Sequence, residues 1–178
     1  MANYVIFETR WGYFGLAGTE SALCRTCLPG PKRRETETHL LRDLPDAQFD
    51  AGYFEPLQKQ IAAYYEGASV NFGPEIPVSL DGFRAFGASV LKECRRLQFG
   101  QTISYAGLAK KSGSPAASRA VGSTLAKNPL PLIIPCHRVL RTDGKLGGFS
   151  APGGVDVKKK MLELERQGLS FGKMSNEV

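Results

Sequence analysis

The stretch LIIPCHRVL, residues 132–140, places a thiol and an imidazole side by side between two aliphatic runs. Pro135 biases the residue before it towards an extended conformation and prevents a helix from running through this point. In a plain strand, Cys136 and His137 would point to opposite faces, and proton transfer between them would be difficult. If the two residues act as a pair, they therefore need either a turn at Pro135 or a water molecule that bridges the thiol and the imidazole.

A cysteine in such a segment is either a small buried core residue or a nucleophile. A thiol has an ordinary pKa of about 8.5, so its activation needs a base, a cation or a helix N-terminus. His137 follows Cys136 directly, and Glu163 or Glu165 of the last predicted helix could orient the imidazole in the manner of a triad. The adjacent Arg138, the prolines and the basic surroundings favour the nucleophile.

Upstream of this stretch, the sequence predicts two helices joined by a tight turn. The first is predicted over Tyr105–Lys111, and Ser112-Gly113 forms the turn. Ser114 would cap the second helix, which would start at Pro115 and run to about Lys127. This size and order are typical of a helix-turn-helix, which binds DNA through its second helix.

The second of these helices carries small side chains around a single long one, Arg119, in its first two turns. A helix that reads the major groove usually presents several long polar side chains, so this slim helix favours close approach in a narrow groove. The alternative is a helix of small residues that packs tightly against another helix. The small residues are Ala116, Ala117, Ser118, Ala120, Gly122, Ser123 and Ala126.

The first 82 residues predict a small lobe with an antiparallel sheet. Strands are predicted for YVIFET, YFGLAG and ALCRTCLP, which are rich in β-branched and aromatic residues. Helices are predicted around Glu35–Leu41 and over residues 54–67, followed by an extended linker over the proline- and glycine-rich residues 70–82. We therefore divide the chain into a strand-rich lobe, 1–82, and a mostly helical lobe, 83–178.

The C-terminal lobe begins and ends with a predicted helix. Apolar residues recur at helical spacing over residues 83–97. A glycine-rich loop, RTDGKLGGFSAPGG, follows the Cys136 segment, and a last helix is predicted over residues 155–168 with Gly168 as its terminator. Residues 171–178 are expected to be frayed.

Charge is unevenly distributed between the two lobes. The chain of 178 residues has a net charge of +6, yet residues 1–82 hold 7 Lys and Arg against 11 Asp and Glu, whereas residues 83–178 hold 16 against 6. A strongly basic half is typical of a protein that binds a polyanion, with nucleic acid first in line. A merely solvated basic surface would have the same composition.

Several classes of protein are disfavoured. No apolar run has the twenty or so residues of a membrane helix, and the N-terminus lacks the features of a secretory signal. We expect an intracellular protein, cytoplasmic in a prokaryote or nuclear in a eukaryote, with reduced cysteines. Cys24 and Cys27 form a C-x-x-C that lacks a second ligand pair at zinc-finger spacing, and Cys94 lies on the apolar face of its helix, so no metal site is expected.

Together, NPLPLIIPCHRVL, the upstream GQTISYAGLA and AASRAVG, the glycine-rich loop and the LELE helix resemble the 6-O-methylguanine-DNA methyltransferases. The resemblance covers about residues 83–168. It implies an α+β fold, in which a small RNase H-like α/β lobe with an antiparallel sheet precedes a mostly helical lobe with a helix-turn-helix at about residues 105–127. It also implies direct reversal of DNA damage by a monomer, in which the alkyl group of guanine O6 moves to the protein's own cysteine in a single turnover without a cofactor.

The resemblance also implies catalytic roles for particular residues. Cys136 would accept the alkyl group, and His137 would act as general base through a bridging water. Glu165 would orient His137, although two residues inserted between the Phe149 loop and the last helix leave Glu163 open as the alternative. Asn128 would order the turn that holds the thiol.

The remaining implied roles concern DNA. The partner would be alkylated duplex DNA, bound from the minor groove without sequence preference, and Arg119 would enter the duplex as the damaged base leaves. Tyr105 would help rotate the 3′ phosphate and could donate to the leaving oxygen. Further DNA contacts are implied for Ala117, Ser118 and Ser123, and pocket positions for Pro131, Val139, Phe149 and Ser150. Phe149 stands where many members carry tyrosine, and the N-terminal lobe lacks the cysteine and histidine set that binds zinc in some members.

Three other functions remain open at this stage. A non-catalytic relative could flip damaged bases and recruit repair factors, but such relatives replace the cysteine that is present here as Cys136. A Cys-His hydrolase would leave the helix-turn-helix and the basic half unexplained. A transcription regulator would need longer side chains on the second helix than the sequence provides.

Overall fold

The computed structural model describes residues 1–174, so the part of the expected C-terminal fraying that falls on 175–178 lies outside the described residues. The chain divides into two compact units, Met1–Ser79 and Leu80–Val178. This division falls inside the predicted linker, residues 70–82. The assignment of DNA binding and alkyl transfer to the second unit stays a prediction.

The first unit is built on a four-stranded sheet in the order β3-β2-β1-β4. The strands β1 (Asn3–Thr9), β2 (Gly12–Gly18) and β3 (Leu23–Gly30) pair antiparallel, close to the predicted segments. The fourth, β4 (Gln48–Phe49), pairs with β1 in parallel. The prediction of a purely antiparallel sheet is therefore wrong at one edge, because a two-residue strand is too short to produce an alternating pattern.

Two helices, α1 (Arg33–Leu40) and α2 (Glu55–Tyr65), accompany this sheet. Leu40 packs in a buried cluster with Ile6, Ala17 and Cys27. Burial raises the pKa of the Cys27 thiol to about 11, and both cysteines of the C-x-x-C are free thiols. The Cys27 side chain is thus a core residue, while the RNase H-like character of this unit stays a prediction.

The second unit is mostly helical, and a short parallel pair of strands lies among its helices. Val90, Leu91 and Cys94 form the buried side of its first helix, which packs against the next two. Cys94 is therefore buried in the core, as its helical spacing predicted. The elements are α3 (Ala85–Arg95), β5 (Ile103–Ser104), α4 (Tyr105–Lys111), α5 (Ser118–Leu125), a 3₁₀ turn (Cys136–Arg138), β6 (Val139–Leu140) and α6 (Gly154–Met174).

The start of α5 differs from the prediction. Ser114 and Pro115 do not begin the helix; the amide of Ala117 donates to the carbonyl of Ser114 at 2.9 Å and closes a β-turn over these residues. The helix begins one turn later, at Ser118. Proline suits the second position of such a turn as well as the first turn of a helix, so the local sequence permits both.

The end of α6 also differs, because Gly168 does not terminate it and the helix continues to Met174. A glycine inside a helix costs only about 1 kcal/mol relative to alanine, which good helix formers on either side can offset. Leu169, the next residue, packs over Gly100. Within the described residues, no helix combines the length and apolarity that crossing a bilayer requires.

Candidate active site

Cys136 lies at the start of a 3₁₀ turn that is closed by backbone hydrogen bonds and preceded by a residue with a strained backbone. Leu132 adopts a φ of 76°, a left-handed conformation that is rare for a leucine and costs of order 1 kcal/mol. The amide of Cys136 donates to the Ile134 carbonyl at 2.7 Å, and the amide of Arg138 donates to the Pro135 carbonyl at 2.9 Å. The chain therefore turns at Pro135 instead of continuing as a strand.

Asn128 closes the loop that leads to this turn. Its Nδ2 donates to the Ile134 carbonyl at 2.9 Å, and its Oδ1 accepts from the Leu130 amide at 3.0 Å. The two ends of the loop are thus joined through one side chain. Asn128 is therefore placed to order the turn that carries the thiol.

A buried carboxylate lies behind the turn. Glu165, which is 1% exposed, places Oε1 2.7 Å from Nε2 of His137, a fully buried imidazole. The amide of Gly100 donates to the other carboxylate oxygen, Oε2, at 2.9 Å. Glu163 lies elsewhere on α6, where it forms an exposed pair with Arg166.

Arg138 completes this network, and the sequence analysis had noted it only as a neighbour of the thiol. Its Nε lies 3.1 and 3.0 Å from the two Glu165 oxygens, and its Nη2 donates to Oε1 at 2.9 Å. Its Nη1 donates to the Leu97 carbonyl at 2.6 Å. The guanidinium therefore holds the carboxylate from a second side and is itself anchored to the end of α3.

These contacts set the protonation states of the pair. Burial would raise the pKa of Glu165, but hydrogen bonds and charges from His137 and Arg138 lower it to about 2. Burial lowers the pKa of His137, and Glu165 only partly offsets this effect. At neutral pH an ionised carboxylate faces a neutral imidazole, so Nε2 carries the hydrogen and Nδ1 is the nitrogen that can accept a proton.

The thiol itself is 7% exposed. Burial raises the pKa of Cys136, while a hydrogen bond from Asn128, the charge of Lys158 and backbone amides act in the opposite direction. The thiol is therefore protonated at neutral pH in this state of the protein. Attack on a substrate needs a base, and the imidazole next in sequence has the right protonation state to serve as one.

Lys158 is a functional candidate that the sequence analysis missed. It lies on α6 with 0% exposure, and its Nζ donates to the Val139 carbonyl at 2.7 Å. The same Nζ lies 5.7 Å from the ring centroid of Tyr105. Burial lowers the pKa of Lys158, and the nearby Cys136 and Cys94 raise it. A cation is thus buried close to the thiol.

The spacing of α6 places this lysine on one face with two other buried residues, but it does not by itself mark that face as buried. Over residues 154–170 of the helix, the buried ones are Lys158, Met161 and Glu165, at positions i, i+3 and i+7, which share one helical face. Lys158 is also the first of three consecutive lysines in the sequence. A run of three lysines is usually solvated, and its buried member cannot be identified without the packing of the helix.

A cavity of about 490 Å³ opens over the thiol. Phe149 and Ser150 of the glycine-rich loop line it, whereas Pro131 and Val139 are not among its lining residues. Val139 is fully buried in β6, which pairs with β5, and this explains its absence from the wall. The lining residues are Tyr105, Ser118, Gly122, Leu125, Ala126, Cys136, Gly147, Gly148, Phe149 and Ser150.

Gly147 is required for the shape of this cavity. A Cβ at Gly147 would lie 2.7 Å from Cε2 and 2.9 Å from Cζ of Tyr105, which is closer than carbon atoms approach. The half-buried phenol has a pKa that is raised by burial and by the thiols of Cys136 and Cys94. Tyr105 therefore stays protonated at neutral pH and is a hydrogen-bond donor at the cavity wall.

The remaining predicted residues lie on and around α5. Ala117 precedes its first residue, Ser118, and Arg119 is exposed on its first turn. Ser118 lines the cavity over the thiol, and both Ser118 and Arg119 line a neighbouring groove of about 430 Å³. Ser123 is exposed on α5 and lines neither.

Possible metal ligands are scattered over the described part of the chain. Residues 1–174 contain no group of three or more His, Cys, Asp and Glu side chains that could hold an ion.

The chain is similar to proteins of known family in both sequence and structure. Residues 85–167 match the family model described as 6-O-methylguanine DNA methyltransferase, DNA binding domain. Two relatives named methylated-DNA–protein-cysteine methyltransferase are those of Methanosarcina acetivorans, 34% identical over 91% of this chain and 97% of that protein, and of Mycobacterium tuberculosis, 32% identical over 93% of each.

Solved structures agree with these relatives. The crystal structure of the M. tuberculosis O6-methylguanine methyltransferase superposes with a TM-score of 0.75 at 32% identity and 94% coverage of both chains. The crystal structure of the M. tuberculosis protein named OGT in complex with DNA gives a TM-score of 0.77 at 32% identity, covering 93% of this chain and 94% of that one.

Proposed function

We infer that this chain, which belongs to the 6-O-methylguanine-DNA methyltransferase family, moves the alkyl group from O6 of guanine in duplex DNA to Sγ of Cys136. The chain is a methylated-DNA–protein-cysteine methyltransferase with an α+β fold, and it binds DNA and acts in DNA repair. The observation that carries the assignment of Cys136 is its position. Cys136 lines the cavity of about 490 Å³, the base His137 follows it in sequence, and a buried carboxylate is bonded to that base.

The proposed reaction begins with deprotonation of the thiol. The Sγ proton of Cys136 passes to Nδ1 of His137, through a bridging water, while Nε2 remains bonded to Glu165. The carboxylate stabilises the imidazolium that forms and prevents the ring from turning. Lys158 stabilises the thiolate through its charge, and Asn128 stabilises it through its amide.

The thiolate then displaces guanine from the alkyl carbon. A carbon–sulfur bond forms as the bond between that carbon and O6 breaks, and the electron pair of the broken bond stays on the guanine. The phenol of Tyr105 donates a hydrogen bond to the leaving base, which takes up a proton from water and becomes ordinary guanine. The proton on His137 returns to water, so the imidazole is neutral again. The displacement needs no oxyanion hole and no cofactor. Because the thioether is not reversed, each molecule of protein reacts once.

The target base must leave the duplex to reach Cys136, at a cost of a few kcal/mol. We propose that α4 and α5 form a helix-turn-helix that approaches the minor groove, because the small residues of α5 permit close contact. Arg119 would fill the space of the extruded base and offset part of that cost. Basic side chains bind phosphates, which makes the binding independent of sequence.

The extruded purine would occupy the cavity over Cys136. Phe149 offers a face on which the base can stack, although the hydroxyl of a tyrosine is missing at this position. Ser150 offers a hydroxyl within the same loop. Gly147 and Gly148 leave space for the purine next to Tyr105.

The function is tested by intact-protein mass spectrometry after incubation with a duplex that contains one O6-methylguanine. We expect a gain of one methyl group per protein molecule, located on the tryptic peptide that contains Cys136. C136A should show no gain and should retain its affinity for the lesion, since the cavity remains. A methyl group on Cys94, or no gain together with tight lesion binding, would contradict transfer to Cys136.

A further inference from the structure

A second groove adjoins the proposed base cavity, and the proposed mechanism uses only one of its two arginines. The groove measures about 430 Å³ and shares Tyr105 and Ser118 with the cavity over Cys136. Arg119 of α5 lines one part of it, and Arg141, which follows β6, lines another. Two arginines from separate elements therefore line the same groove.

The position of Arg141 is set by strand pairing. β5 and β6 pair in parallel, with Ile103 opposite Val139 and Ser104 opposite Leu140. The next residues of the two strands, Tyr105 and Arg141, consequently leave the sheet at the same edge. The sheet thus holds an arginine beside the tyrosine that lines both the cavity and the groove.

A tight turn supports Arg141 from the other side. The amide of Arg141 donates to the Lys145 carbonyl at 2.9 Å, and the amide of Gly144 donates to the Arg141 carbonyl at 2.9 Å. Gly144 has a φ of 77°, a conformation that favours glycine at this position. The backbone that carries the guanidinium is therefore well defined, although the side chain is exposed.

Asp143 places a carboxylate against this guanidinium. Its Oδ2 lies 3.2 Å from Nη2 of Arg141, and its Oδ1 accepts from the Lys145 amide at 3.1 Å. The side chains of Arg141 and Asp143 are 59% and 41% exposed. A pair this open to water is weak, and the oxygens of another anion can replace the carboxylate.

We propose that Arg141 binds a backbone phosphate of the DNA strand that carries the extruded nucleotide, and that Asp143 occupies the place of this phosphate in the free protein. A guanidinium fork matches two phosphate oxygens, which a carboxylate on the neighbouring turn imitates. Phosphate contacts fix the register of a protein on DNA without reading sequence. This inference rests on the proposed function, since it places the damaged strand in the groove next to the cavity over Cys136.

Binding to a duplex that contains one O6-methylguanine, measured by fluorescence anisotropy at several salt concentrations, tests the contact. R141Q should weaken binding about tenfold, the loss expected for one charge-assisted contact, and should reduce the slope of log K against log salt by about one. R141K should restore the slope but only part of the affinity, because lysine lacks the fork. D143N should tighten binding about threefold, since the competing anion is removed.

K145Q is the matched control, because it removes the same charge from the same turn at a residue that does not line the groove. It should change the affinity by less than about twofold. Equal losses in R141Q and K145Q would show that only net charge matters and would overturn the proposal. Weaker binding by D143N would overturn the proposal as well. This outcome counts even if R141Q lowers the midpoint of thermal unfolding, so that its own binding data cannot be interpreted.

The failure of this proposal and that of the proposed function are distinguishable. Methyl transfer to Cys136 by the wild-type protein is measured by mass and does not depend on Arg141 being a phosphate contact. If transfer occurs and the salt slope of R141Q equals that of the wild type, the arginine contact is wrong and the function stands. If transfer is absent, the proposed function is wrong whatever the slope.

Discussion

Arg138 and Arg141 lie on either side of β6, and each pairs with a carboxylate. The pair of Arg138 with Glu165 is almost fully buried, with side chains 3% and 1% exposed, and it includes His137 and the Gly100 amide. The pair of Arg141 with Asp143 is open to water. The first can orient an imidazole because its members have no alternative partner in solvent, whereas the second can exchange its anion.

The buried pair and the exposed pair also differ in how strongly pH changes their contribution to the stability of the fold. The folded-state pKa of Glu165 is about 2 against an ordinary value of 4.5. This carboxylate therefore stabilises the fold at pH values above 4.5, and the contribution is lost as the pH falls towards 2. An exposed pair such as that of Arg141 and Asp143 adds little to stability. Burial thus separates a pair that maintains structure from a pair that is available for binding.

The largest expected effect is on the buried pair. E165Q keeps the shape of the side chain but removes the charge that stabilises the imidazolium of His137, so the rate of methyl transfer should fall by at least about 100-fold. E163Q is the matched control on the same helix and should stay within about twofold of wild type. Single-turnover transfer from methylated duplex is the measurement. Equal rates for both variants would show that Glu165 has no role beyond packing.

Replacing the exposed Arg119 should lower the rate of methyl transfer less, and by an amount that depends on the substrate. R119A should slow transfer from duplex about 30-fold, because about 2 kcal/mol of the cost of base extrusion is no longer offset. The rate with the free alkylated nucleobase, which needs no extrusion, should change far less. Comparable losses on both substrates would rule out the insertion of Arg119 into the duplex.

Replacing Lys158 tests whether the charge of this buried lysine stabilises the thiolate of Cys136. K158M keeps most of the volume and removes the cation, so the pKa of Cys136 should rise and transfer should slow about tenfold. The pH dependence of alkylation of Cys136 by a small iodoacetamide reports the change in the thiol directly. K159M, in the next residue on the exposed side of α6, serves as control. A shared pH profile for the two variants would exclude an electrostatic role for Lys158.

The smallest expected effect is the response of the wild-type rate to mild acid. Burial holds the pKa of His137 below 6.5, so the imidazole remains a base as the pH falls from 7.5 to 6.5. An imidazole with the ordinary pKa of about 6.5 would lose rate about 1.8-fold over this interval, so the single-turnover rate should fall by clearly less than that and decline only at lower pH. A loss of about 1.8-fold or more between pH 7.5 and 6.5 would mean that the pKa of His137 is not lowered.

Local signals account for the elements that were predicted well. The helix Tyr105–Lys111 has its predicted bounds because Ser104 caps it, with Oγ accepting from the Gly107 amide at 2.9 Å, and Ser112 lies at its end. No α-helix runs through Pro135, as the restriction that proline imposes on the preceding residue predicts. Such signals act over a few residues and can be recognised without knowledge of the fold.

Elements whose local sequence permits two structures were predicted less well. Ser114 and Pro115 suit the start of a helix and a β-turn alike, and the chain forms the turn. Gly168 suits a helix end but lies inside α6, where Leu169 finds a contact on Gly100. In each case the choice depends on packing at positions distant in sequence.

The sequence by itself determined the thiol, the imidazole beside it, the proline that restricts the chain before them, and the family resemblance. Only the tertiary structure decided that Glu165 and not Glu163 faces His137, that Arg138 closes the network, and that Lys158 is buried beside Cys136. The physical reason is that a charged residue in a polar helix carries no local mark of burial. Its environment is created by other elements, here the end of α3, β6 and the 3₁₀ turn.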